Sequence, residues 1–137
     1  MARAVVTESP IEVAEHEALV ASAAAGAVVS FAGNVRDHDH GKRVTELEYS
    51  AHPSASAVLA EIAAVYAAKE HVEAVAVSHR VGPLAIGETA LACAVSAAHR
   101  QTAFTVCAQL VDEVKARVPI WKRQVFADGS SEWVDCP

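Results

Sequence analysis

Residues 96–123 read SAAHRQTAFTVCAQLVDEVKARVPIWKR, and the rest of the chain is read outward from them. Phe104, Cys107, Val111, Val114 and Val118 recur at spacings of three and four, the pattern of a helix with one apolar stripe. Glu88 to Ala97, just before, reads as a strand. Pro119 ends the helix, IWKRQVF is extended, and Asp128-Gly129 signals a hairpin turn into SEWVD. Arg100 lies four residues before Phe104 and Lys115 four after Val111, so both cations are expected in or beside the buried stripe. A buried charge is costly unless paired or given a ligand. Two readings follow. Both side chains snorkel, with their heads in water, or they face a pocket that receives an anion.

The expected helix start bears on that choice. A helix N-terminus disfavours cations and favours a bound anion, yet His99 and Arg100 stand there. Free backbone N–H groups, an arginine fork and an imidazole suit a phosphate or carboxylate. The alternative is a helix that begins later and leaves both residues in a solvated loop.

Working toward the N-terminus, strands and helices follow without strict alternation. Ala2 to Glu8 reads as a strand. Ser9-Pro10 is expected to cap a helix that runs through IEVAEHEALVASAAA to Gly26. GAVVSFAGNV and VTELEYS read as strands around the polar loop RDHDHGKR, and Pro53 opens a second helix, SASAVLAEIAAVYAAKE. Glu73 to Arg80 alternates as a strand and Val81-Gly82-Pro83 breaks it. The expected fold is α+β, a mostly antiparallel sheet with about three helices, in one domain spanning 1–137.

Composition narrows the function. A hydrophobic content of 53% supplies a core, but it is mostly Ala and Val, so part of the burial is expected at a subunit interface. A net charge of −6 argues against general nucleic-acid binding, while the cations cluster after residue 35. That suits a small anionic ligand or an acidic peptide tail. Cys93, Cys107 and Cys136 make no C-x-x-C and no even framework. The first two are expected in the core and the third exposed, in a reducing compartment. No stretch is apolar enough for a membrane span or a signal peptide, so a cytoplasmic location is expected.

Four stretches place basic or titratable groups at element ends: Asn34-Val35-Arg36, His79-Arg80, His99-Arg100, and Lys115 with Lys122-Arg123. A lysine held among cations at low dielectric can act as acid, base or nucleophile, and an arginine can clamp phosphate. No phosphate-binding glycine loop and no Ser-His-Asp order is present. The Asp37–His40 run could hold a divalent ion weakly, but no second cluster completes a site, and no metal or cofactor is expected. Asp112-Glu113 reads as a wet helix face.

FAGNVRDHDHGKRV, LEYSAHPSAS, HRVGPLAIGE, VSAAHRQTAF and VPIWKRQ, taken in this order, resemble the large, catalytic subunit of molybdopterin synthase. The resemblance covers about Gly26 to Val134. It implies a hammerhead-type β motif and a sulfurtransferase in molybdenum-cofactor biosynthesis. Such an enzyme inserts two sulfurs into cyclic pyranopterin monophosphate (precursor Z) to form the molybdopterin dithiolene. It implies a partner, a small ubiquitin-like sulfur carrier whose C-terminal Gly-Gly bears a thiocarboxylate, and a homodimer within a heterotetramer. By motif, Lys115 and Lys122 match the family's catalytic lysines. Asn34, Val35, Arg36, His99, Arg100, Arg123 and Gln124 match substrate-site positions. The chain departs from the family at Gln124, where many relatives have an acid, at Asp39, where Asn is usual, and in stopping soon after Trp133-Val134. A non-catalytic module that binds a phosphorylated molecule or an acidic tail through the same cations is the competing reading.

Overall fold

A run of nine residues, Thr89–Ala97, is buried along nearly its whole length, so both faces of this strand must be covered. The computed structural model, which describes residues 1–136 with side chains through 134, shows how. In order the elements are β1 (Ala2–Thr7), α1 (Val13–Val20), β2 (Ala27–Asn34), β3 (His38–Asp39), β4 (Lys42–Ala51) and α2 (Ala55–Ala67). They continue with β5 (Val72–Arg80), β6 (Gly82–Leu84), β7 (Thr89–Ala97), α3 (Arg100–Arg117), β8 (Ile120–Phe126) and β9 (Ser131–Cys136). The first sheet runs β1-β5-β7-β2, antiparallel except for the parallel β1/β5 pair. The second runs β3-β4-β8-β9, with β6 also on β4.

Alternation divides the first sheet's two faces. Val75, Val77, Leu91, Cys93 and Val95 point to the side where α2 and α3 pack, and join Leu59, Ile62, Leu110 and Val114 in the main core. Ala74, Ala76 and Ala94 point to the other side, where Val20 of α1 sits. The many alanines are thus one face of a sheet on which a short helix lies close. The free thiols of Cys93 and Cys107 are in the core as expected, and the Cys136 expectation falls outside the described side chains.

Several expectations are corrected. The α3 stripe is Ala103, Val106, Cys107, Leu110, Val111 and Val114, whereas Phe104 is 58% exposed. The buried face is rotated from the one the large residues suggest, because the sheet accepts a small alanine at 103. Arg100 and Lys115 therefore stand in solvent reach rather than in the core. Helix α1 is shorter than expected. Its N-cap is Glu12, not Ser9, and the chain turns extended at Ala21. His16, buried in α1, donates from Nδ1 to the Glu12 carbonyl and accepts at Nε2 from the Ser78 hydroxyl, each at 2.7 Å. Gly26 follows a non-helical stretch instead of stopping a helix, and a Cβ there would collide with the Ala98 carbonyl oxygen.

The loop RDHDHGKR contains a hairpin, β3/β4. His40 and Gly41, both at positive φ, form its two-residue turn, as a type I′ turn requires. Val81-Gly82-Pro83 does not simply break the chain, since Gly82–Leu84 pairs with Leu47–Tyr49. The Asp128-Gly129 turn is found as read. Asp112 is exposed, but Glu113 accepts from the Tyr66 hydroxyl at 2.9 Å and pairs with Arg117.

Candidate active site

Cross-strand register brings the site together. His79 of β5, Leu91 of β7 and Gly33 of β2 form one row across the first sheet. Tyr49 of β4 and Lys122 of β8 are direct partners in the second. Together with Lys115 near the end of α3, Asn34 at the end of β2 and Arg36 just beyond it, they line a cavity of about 250 Å³. Gly33 keeps the row open: a Cβ there would press on the Phe31 ring at 3.2 Å.

The segment that carries Asn34 and Arg36 is clamped from behind. Val35 is a core residue, packed with Leu47, Leu84 and Ala90. Its N–H donates to the Glu88 carbonyl at 2.9 Å, and its carbonyl accepts from Gly87 N–H at 2.8 Å. The 80–88 loop is held by Arg80, which pairs with Glu88 at 2.8 Å and donates to the Glu8 carbonyl. Glu88 also accepts the Ala85 N–H at 2.6 Å. That backbone bond, with help from Arg80, keeps the Glu88 carboxyl below its usual range. The HRVGPLAIGE motif is thus largely a brace, and Val35 serves the site as its anchor rather than its lining.

Asn34 Oδ1 accepts from the Thr89 hydroxyl at 2.8 Å, leaving its NH₂ to face a ligand. Arg36 is exposed and only loosely paired, at 3.4 Å, with Asp39. Lys115 is exposed and Lys122 half-buried. Among the described residues that line the cavity there is no carboxylate. The surface offers ammonium, guanidinium and amide donors to an anion.

His79 stands out in the sequence only as part of the His79-Arg80 pair that opens the HRVGPLAIGE motif, with no site role, yet it lines the cavity. It is 2% exposed, and its ring meets Tyr49 edge-on at 5.0 Å. Nδ1 lies 2.8 Å from the Arg80 carbonyl, which can only accept, so Nδ1 carries the proton. Burial pushes the pKa down to about 4, the Lys115 charge pushes the same way, and the bond to Arg80 partly opposes both.

The remaining expected site residues lie elsewhere in the chain. His99 is the N-cap of α3 and Arg100 its first residue, so the helix begins where the anion argument wants it. They border a separate recess with Gly26 and Gln101. Lys115 lies fifteen helical steps beyond Arg100, about 22 Å at helical rise. Arg123 points to the opposite face of β8 from Lys122, into a recess with Glu48, Pro83 and Glu88. Gln124 is buried and donates to Asp39 at 2.7 Å and Glu132 at 2.9 Å. The bond from Gln124 is the main reason the Asp39 carboxyl titrates low.

Asp39, His40 and Glu132 bring ligand atoms within 4.8 Å of one another, so Glu132 supplies the neighbour that the Asp37–His40 run lacks in sequence. The Gln124 amide already bridges both carboxylates.

Comparison with known proteins agrees across most of the chain. The family model described as MoaE protein matches residues 6–117. The chain is 40% identical over 131 residues to a molybdopterin synthase catalytic subunit from Nostoc sp., covering 94% of this chain and 79% of that protein. It is 39% identical over 120 residues to the protein of the same name from Arabidopsis thaliana, covering 87% of this chain and 61% of that longer one. The crystal structure of molybdopterin synthase from Staphylococcus aureus superposes with a TM-score of 0.85 at 33% identity, over 93% of each chain.

Proposed function

The chain belongs to the MoaE protein family, and from that premise we propose that it is the catalytic subunit of a molybdopterin synthase. The observation that carries the site assignment is the convergence of Lys115 and Lys122 with Arg36 on one cavity free of lining carboxylates. The substrate class, a pterin bearing a phosphate, and the sulfur donor, a C-terminal thiocarboxylate, are both anions. Each finds donors there, and no carboxylate lines the cavity, Asp39 being only loosely paired with Arg36 at 3.4 Å.

Roles follow from chemistry. Lys122, Arg36 and the Asn34 amide hold the phosphate and the charge that develops as sulfur is delivered. Lys115, at the open end of α3, moves protons and serves the acyl chemistry at the thiocarboxylate. Sulfur arrives from the small ubiquitin-like carrier, so neither core cysteine is asked to be a nucleophile. Burial raises both the Cys93 and Cys107 thiols, which suits them to that inert role. For His99 and Arg100 to serve the same cavity they would have to come from a second copy of the chain, and a homodimer is part of the proposal. Free Cys93 and Cys107 fit a reducing compartment, which supports placing the protein in the cytoplasm. No described helix is long and apolar enough to cross a membrane.

The test is reconstitution. The protein is mixed with a thiocarboxylated small subunit and precursor Z, and molybdopterin is read as its oxidised fluorescent derivative. Product is expected only when all three are present. A stable complex with the small subunit that yields no product would favour a non-catalytic binding module instead.

A further inference from the structure

His79 has no assigned task, yet its placement is specific. It sits in the row His79–Leu91–Gly33 that floors the cavity, and it lines that cavity together with Lys115. The Arg80 carbonyl holds the proton on Nδ1, so a neutral ring presents a lone pair at Nε2. Among the described residues nothing hydrogen-bonds Nε2. It is not sealed away either, since the fully enclosed side-chain polar atom without a partner is Ser96 Oγ. The ring cannot swing freely, being fixed by the Arg80 bond and by the edge-on contact with Tyr49. A rigid acceptor therefore borders the same small space as a flexible ammonium on a four-carbon stem. Ammonium groups need acceptors, and the lining offers Lys115 no carboxylate.

We propose that His79 is a positioning residue: its unprotonated Nε2 accepts a hydrogen bond from the Lys115 ammonium, directly or through one water, and sets where that Nζ stands in the cavity. This rests on reading Lys115 as the reacting lysine. The benefit of such a partner is geometric. It costs the lysine none of its charge, as a carboxylate would by pairing with it, and it narrows the many rotamers of a long side chain to those facing the ligand.

Two readouts test it. The first is ¹⁵N NMR of the His79 ring in the full-length protein, assigned by its loss in His79→Gln and recorded again in Lys115→Met. The expected result is the Nδ1–H tautomer at pH 7, with an Nε2 resonance that moves when Lys115 is replaced. The second is the kinetics of sulfur transfer in His79→Phe, which keeps a ring beside Tyr49 but removes the acceptor, and in His79→Gln, which keeps an acceptor. In His79→Phe, kcat should fall at least tenfold, with KM for the pterin within twofold and capture of the small subunit unchanged. His79→Gln should recover at least threefold of that loss.

An Nε2 resonance unmoved by Lys115→Met would overturn the proposal. So would a His79→Phe kcat within twofold of wild type, or equal losses in both variants. Should His79→Phe fail to fold, the resonance and the His79→Gln kinetics decide. Absence of product from the wild-type protein would instead defeat the functional reading, and the resonance would still judge the contact.

Discussion

Lys115→Ala should abolish sulfur transfer while leaving the fold intact. The side chain is exposed near the C-terminal end of α3, and the apolar contacts of that helix are made by Val111 and Val114. Folding stability should therefore change by no more than about 0.5 kcal/mol, as for a surface position. Removing the group that moves protons should cost about 10²–10⁴-fold in rate. Lys115→Arg separates the two uses of the side chain. It keeps a positive charge for an anion but cannot readily give up a proton, so it should bind substrate and still turn over slowly. Circular dichroism and single-turnover product formation check both halves. Full turnover in Lys115→Ala would place the acid–base chemistry on another group.

The second large effect is on stability against pH. His79 titrates near 4 in the folded protein, chiefly because it is buried and also because Lys115 adds charge, against 6.5 for an ordinary histidine. Between those values the unfolded chain binds a proton that the folded one refuses. Stability is thus untouched by this group above about pH 6.5, falls as pH drops toward 4, and is flat again below. The gap of about 2.5 pH units corresponds to about 3 kcal/mol. Lys115 of α3 and Lys122 of β8 are the lysines that line the same cavity as His79. The carboxylates of Asp39 and Glu88, held low by Gln124 and by the Ala85 N–H respectively, weaken the fold only as pH falls through the lower carboxylate range. Urea unfolding of wild type and His79→Phe from pH 7 to 4 should show a steep loss in the first and a shallow one in the second. Equal slopes would mean that His79 is charged in the folded state.

How legible all this is in the sequence varies with length scale. Residues that act locally announce themselves: Pro119 ends α3, Asp128-Gly129 makes its turn, and the long strands β4, β5, β7 and β8 show their periods. Strands of two and three residues, β3 and β6, are too short to carry a period, and they exist because β4 offers them an edge. The face of α3 is misjudged because Phe104 looks like a core residue, whereas it is Ala103 that is buried and Phe104 that is exposed. The reading of α1 overshoots because helix propensity continues through Ala21–Ala25, while a buried contact, His16 with Ser78, decides where the helix sits.

The site divides in the same way. Motif resemblance points to Lys115, Lys122, Arg36 and Asn34, and these four share a cavity. It says nothing of strand faces, so it joins Arg123 to Lys122 although neighbours on a strand point apart. Nor does it convey distance along a helix, so His99 and Arg100 read as companions of Lys115. His79 is legible as a titratable residue at a strand end, but its role is not, because that lies in burial and in which nitrogen carries the proton.

The central claim is that chemistry belongs to one face of β8 where it meets α3. Its most direct test is sulfur transfer by Lys122→Ala and Arg123→Ala, measured side by side with thiocarboxylated small subunit and precursor Z. Loss of product in Lys122→Ala, with Arg123→Ala within a few-fold of wild type, is the predicted result. Equal loss in both, or loss in Arg123→Ala alone, would put the reaction in the other recess and contradict the account.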